Sequence, residues 1–216
     1  MTQDELKRDY ISIMIISADI VENGYAYSQA AEKNNVIECF RQLKNAFIPY
    51  SLLEGSLKCF SKYTIGNKDL SDKMKELRKR LHFMNHLRNK CSGHLDSEVL
   101  DKAIQWEPSL FNKEIIFSDT HIYYIYKALL ESAINSYCNE NGVQKYFLTG
   151  IDLFYPPNWE SFLNFMSESE VTSIDFLNDI KKIIVSQIKP TETMEDLLKQ
   201  AMIASKTGFR LQKRKR

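Results

Sequence analysis

Glycine and proline are scarce in this chain, seven and five among 216 residues. A turn-rich β fold needs many such positions, so their scarcity points to long helices. Cysteine is also sparse. Cys39, Cys59, Cys91 and Cys138 stand 20, 32 and 47 residues apart, with no C-x-x-C and no His/Cys spacing of a zinc site. Four scattered cysteines without a signal peptide read as free thiols in a reducing compartment. Residues 11 to 16 are mostly apolar, but the run is too short for a membrane span and follows a charged start. The expectation is a cytoplasmic protein with no membrane association. Carboxylates are numerous, yet none falls into an H-E-x-x-H, a paired D-x-D or a Walker pattern, so neither a metal nor a cofactor is expected. Aromatics are not scarce: eleven Tyr and twelve Phe argue against disorder except at the ends.

A chain of this length suits one domain, or one domain with a helical extension, and can bury a sizeable core. Its 44% apolar and 26% charged residues are ordinary for a globular protein. Net charge is +1, but six basic groups and no acidic one lie between Lys206 and Arg216, so the rest of the chain carries about −5. A second basic zone comprises Lys68, Lys73, Lys75, Arg78, Lys79, Arg80, Arg88 and Lys90, against Asp69, Asp72 and Glu76. This distribution is compatible with a polyanionic substrate; the plain alternative is a solvated helix face and a disordered tail.

Apolar periodicity predicts a helix over residues 4 to 22, ended by Asn23-Gly24, and a second from about Tyr25 to Ile48. Pro49 is expected to kink or restart the second, which continues to about Tyr63. A third, capped by Asp69 or Ser71, runs to about Cys91 and is broken by Ser92-Gly93. A short helix from Ser97 to about Ile104 follows, then an irregular stretch over 105–118. Ser118 or Asp119 caps another long helix, ended by Asn141-Gly142. After an irregular 143–157, three shorter helices are expected at 158–167, 172–188 and 192–205. The reading is all-α: an up-and-down bundle over residues 1–142, a C-terminal helical extension packed on it over 143–208, and a basic tail over 209–216.

The third helix carries the most informative feature. Its apolar stripe runs Leu70, Met74, Leu77, Leu81, Met84, then Arg88, then Cys91 and Leu95, in steps of 4, 3, 4, 3, 4, 3 and 4. A guanidinium on a core-facing stripe is costly unless it is paired or bound to an anion. Three residues past Cys91 stands His94, the side-chain type most used for proton transfer near neutral pH. The plain alternative is helical drift: Leu87 takes the buried position, Arg88 snorkels from the flank, and His94 is an ordinary turn histidine. On a straight helix Arg88 and His94 would be about 120° apart around the axis and roughly 9 Å apart along it. Either Gly93 lets the chain turn and swing His94 inward, or each protomer's pair faces its twin across a symmetric interface. His82 and His86, one turn apart, lack a third metal ligand and read as flank residues.

Arg88-Asn89, four further residues and His94, late in a helix of an all-α chain, resemble the defining motif of the HEPN superfamily. Leu87-Arg88-Asn89-Lys90 followed by His94-Leu95-Asp96 also resembles HEPN domains of abortive-infection proteins. The resemblance covers residues 1 to about 140. It implies a homodimer with two motifs along one RNA cleft, and metal-independent endoribonuclease activity of the toxin or anti-phage kind. On that reading His94 moves the proton, Arg88 holds the phosphate and Asn89 orients the pair, while Lys79, Arg80 and Lys90 contact the RNA backbone more weakly. In the toxin subfamily inactivated by nucleotidylation a tyrosine stands two residues after the histidine. Asp96 occupies that position here, so such control is not implied. Two rivals stand beside the nuclease. One is a non-catalytic HEPN-like component of a defence or toxin-antitoxin assembly, with an antitoxin or defence protein as partner. The other is an unrelated helical interaction protein with a chance motif.

Overall fold

Polar caps set where the long helices begin. Thr2 accepts from the Glu5 N–H, and Glu5 accepts from the Thr2 N–H at 2.8 Å, a reciprocal box that opens α1 (Gln3–Glu32). Asn35 accepts from the Glu38 N–H and opens α2 (Val36–Phe60). Asn67 accepts from the Leu70 N–H and opens α3 (Lys68–Leu87). Asp96 accepts from the Glu98 and Val99 N–H groups and opens α4 (Ser97–Trp106). Then come α5 (Lys113–Ile116), α6 (His121–Asn135), α7 (Pro156–Val185) and α8 (Met194–Ala204). The computed structural model describes residues 1–93, 96–190 and 193–208. Among them there is no strand, only one isolated bridge between Cys138 and Gln144, so the protein is all-α.

Several boundaries differ from those expected. Asn23-Gly24 does not end the first helix, because Gly24 keeps a helical backbone and α1 runs on to Glu32. The break falls at Lys33–Asn35, where Asn34 adopts φ 51°, a left-handed conformation that asparagine tolerates. Pro49 lies inside α2 and does not restart it. The cap of α3 is Asn67 rather than Asp69 or Ser71. The helix expected to reach Asn141-Gly142 is α6, which begins at His121 and stops at Asn135. The segment 105–118 is not wholly irregular, since it holds a 3₁₀ turn at Pro108–Phe111 and the short α5. The two helices expected at 158–167 and 172–188 are one continuous helix, α7, which ends at Val185, because nothing between them breaks a helix.

Helices α1, α2 and α3, joined by short loops, pack as consecutive neighbours, and α7 returns to close against both α1 and α3. Phe162, Phe165, Phe176, Leu177, Ile180 and Ile184 of α7 are buried in the same core as Ile13 and Ile20 of α1, Phe47 and Leu53 of α2, and Leu77 and Leu81 of α3. α7 is therefore a full member of the bundle core. α6 lies over α2 and α3, and Phe83 of α3 joins its neighbours in an aromatic cluster with Tyr137, Tyr146, Phe147 and Phe165. No described helix is long and apolar enough to cross a membrane.

Candidate functional site

The end of α3 does not simply fray. From Arg88 to Ser92 the backbone widens into a π-turn, with the Gly93 N–H donating to the Arg88 carbonyl at 2.6 Å. π-turns inside helices occur often at functional sites. Three contacts fix this one. Cys91 is 1% exposed and donates its thiol to the Leu87 carbonyl. The Ser92 hydroxyl donates to the Lys44 carbonyl of α2 at 2.7 Å. The turn also packs against α6. Burial pushes the Cys91 thiol up to about 11, against the opposing pull of the Ser92 hydroxyl and the Lys44 charge, so it stays protonated and packs as an apolar group.

Leu87 takes the buried position on the stripe, at 0% exposure, and Arg88 is half-buried on the flank beside it. Drift of the helix repeat accounts for this: an apolar side chain was available one position earlier. Arg88 is not swept into solvent, however. Its Nη1 donates to Asn89 Oδ1 at 2.9 Å, and its guanidinium lies over Gly93, where an added Cβ would stand 3.1 Å from both Cζ and Nη1. Gly93 itself has φ −75° and ψ −38°, an ordinary helical conformation. That backbone conformation does not itself require glycine; the missing side chain makes room for the guanidinium. No described carboxylate pairs with Arg88. His94 lies outside the described residues, as do Leu95 and the 209–216 tail.

The other basic residues singled out in the sequence divide. Lys90 meets Asp96 at 2.6 Å, and that bond above all, together with the backbone N–H groups at the start of α4, holds the Asp96 carboxyl below its usual range. Asp96 is thus a helix cap and an ion-pair partner. Arg80 points away from the motif into α7, bonding Glu168 at 2.9 Å with its side chain 16% exposed. Lys79 is exposed and pairs with Glu76 of its own helix. Asn89 touches Arg88 directly, while Arg80 is not brought to that pair.

One residue near the motif carries no signal in the sequence. Lys44 of α2 supplies the carbonyl that accepts from Ser92 and is close enough for its charge to act on Cys91; its Nζ lies 5.1 Å from the Tyr126 ring centroid on α6. Both residues are half-buried, and 44 positions separate Lys44 from Arg88, so no local pattern couples them. His86 proves structural. Its Nε2 lies 3.0 Å from both the Ala133 carbonyl and the Ser136 hydroxyl, and burial lowers its tendency to protonate. His82 pairs with Glu54 at 3.0 Å, and no described group of three His, Cys, Asp or Glu side chains gathers around either histidine or elsewhere. Comparison with family profiles, characterised proteins and solved structures returned no match, so the resemblance of residues 87–96 to HEPN domains rests on those residues and their helical setting alone.

Proposed function

We propose that this protein is an endoribonuclease of the HEPN type, acting without a metal as a toxin or anti-phage effector. The observation that carries the reading is the state of Arg88: a half-buried guanidinium, oriented by Asn89 and by contact with Gly93, with no described carboxylate to pair with. A partly desolvated cation of this kind gains most from an anion delivered by a ligand. A phosphodiester is such an anion.

In the proposed reaction the ribose 2′-hydroxyl loses its proton to a base, and its oxygen bonds to the adjacent phosphorus. The bond to the 5′-oxygen breaks, and that oxygen takes up a proton, leaving a 2′,3′-cyclic phosphate and a 5′-hydroxyl. His94 is assigned the proton transfers by the motif. Arg88 donates to the non-bridging phosphate oxygens as their charge grows, and Asn89 holds its guanidinium in place. Lys44 and the Tyr126 face would guide the strand. One arginine and one histidine make a sparse centre, so the working unit is proposed to be a two-fold dimer with both motifs on one cleft.

The test is cleavage of end-labelled RNA in excess EDTA by wild type, His94→Ala, Arg88→Ala and Asn89→Ala. The first two should lose about 10²- to 10⁴-fold in rate with unchanged circular dichroism, and the third less. Products should carry cyclic phosphate ends. Cleavage by His94→Ala at the wild-type rate would overturn the assignment, and an inert wild type that still binds RNA would favour the non-catalytic HEPN-like component.

A further inference from the structure

Away from the motif, α1, α2 and α7 enclose a cavity of 320 Å³. That is near the small end of ligand pockets, about 300 to 1,000 Å³. We propose that this cavity binds a small organic cation of the ammonium or guanidinium type, held chiefly by Glu170. The inference goes beyond the nuclease reading and does not rest on it.

Glu170 is half-buried on the α7 wall and makes no hydrogen bond or ion pair with any described residue. Its carboxylate lies on the bare backbone of α1 at Gly24, where an added Cβ would come within 2.7 Å of Oε2. Tyr50 is 3% exposed, lines the same cavity, and leaves its hydroxyl without a hydrogen-bond partner among the described residues. The hydroxyl is not sealed from solvent, so it is available to a ligand in the cavity.

The charge of the lining fixes the sign of the ligand. No lysine, arginine or histidine lines the cavity, so Glu170 leaves one uncompensated negative charge on its wall. Asn23 uses one amide N–H on the Asp19 carbonyl and Gln42 one on Glu38, and each keeps its carbonyl oxygen free to accept from the N–H groups of a cation. Burial shifts the Glu170 carboxyl upward with no opposing cation, as expected of an acid that lacks its counter-charge. The rings of Tyr27 and Tyr50 add faces that attract a cation. A lone carboxylate with amide and phenol oxygens is a poor cage for a divalent metal, which takes several charged oxygen ligands. It matches one N–H-rich organic cation, whose donors meet Glu170, Tyr50 and the two amide oxygens.

The experiment is calorimetric titration of the full chain with agmatine and with putrescine at low salt, and with glutarate as an anion of similar length. The amines should bind saturably and glutarate should not. Glu170→Gln, which keeps the shape and removes the charge, should weaken amine binding at least about tenfold, and Tyr50→Phe should weaken it several-fold. Thermal unfolding of Glu170→Gln should match or exceed that of wild type, since the lost charge has no partner. Should that variant fail to fold, Gly24→Ala, which displaces the carboxylate, must weaken binding instead. Absence of saturable amine binding by wild type, or undiminished binding by Glu170→Gln, would overturn the proposal. RNA cleavage by Glu170→Gln is not affected in either case, so this test and the nuclease test fail separately.

Discussion

Lys127 shows how far a single side chain can depart from what its type suggests. It sits on α6 at 1% exposure, with Glu131 at 3.8 Å, Asp152 at 4.0 Å and the ring of Phe154 against its ammonium. Glu131 in turn accepts from the Trp106 Nε1–H and from the Leu153 N–H, tying α4 and the approach to α7 onto α6. Loss of hydration outweighs the pull of Glu131, Asp152 and Glu107 and depresses the Lys127 ammonium to about 8. The unfolded chain therefore holds more protons than the folded one between about pH 8 and 10.5, and stability from this residue rises with pH across that window. Below it the cost of the buried charge is felt in full. Urea midpoints at pH 7 and 9.5 should show a rise for wild type that Lys127→Met lacks; equal pH dependence in the two would refute the assignment. Arg88 is the counterpart at the motif, a cation kept half-buried without such carboxylates.

Among the elements, the π-turn at the end of α3 is the one whose geometry bears on the proposed function. Its widening is what places the Gly93 backbone beneath the Arg88 guanidinium. Gly93→Ala separates the two roles that a glycine could have. Its helical φ and ψ suit alanine, so stability should hold or rise by about 0.5–1 kcal/mol. The added Cβ, 3.1 Å from Cζ and Nη1, should instead push the guanidinium off Asn89 and lower RNA cleavage about tenfold or more. Equal cleavage by Gly93→Ala and wild type in the labelled-RNA assay would show that this contact does not position Arg88.

At the scale of the whole molecule, the bundle and its last helix behave differently. α7 is a core member, whereas every residue of α8 is exposed, including Met194 at 72%, Leu198 at 60% and Ile203 at 70%. A helix that buries nothing contributes little to the stability of the rest. Ending the chain after Pro190 should leave the thermal midpoint of the bundle within about 2 °C of the full chain, measured by circular dichroism at 222 nm. A large fall would mean that α8 packs on the bundle in solution. Mass measurement at dilute concentration checks the dimer proposed for the nuclease: a monomer with full cleavage activity would refute it.

What the sequence by itself determined was the fold class, and it singled out Arg88 as the candidate site. Sparse Gly and Pro with 3.6-residue apolar stripes can only build helices, and all-α is what formed. The stripe from Leu70 to Met84 is buried or half-buried as its period requires, and Arg88 stood out because it interrupts it. Tertiary packing decided the rest. Gly24 stays helical because Ile20 and Tyr27 on either side of it pack into the core, and Pro49 stays inside α2 because the flanking Phe47, Tyr50 and Leu53 are buried together. Leu87 rather than Arg88 faces the core because α2 and α6 close on that side, and no one-dimensional repeat specifies which of two neighbouring positions a partner helix will cover. For the same reason Lys44, which meets the motif from another helix, was invisible in sequence. Its position is a property of α2 lying beside the end of α3, and contacts between distant segments exist only once the chain is folded.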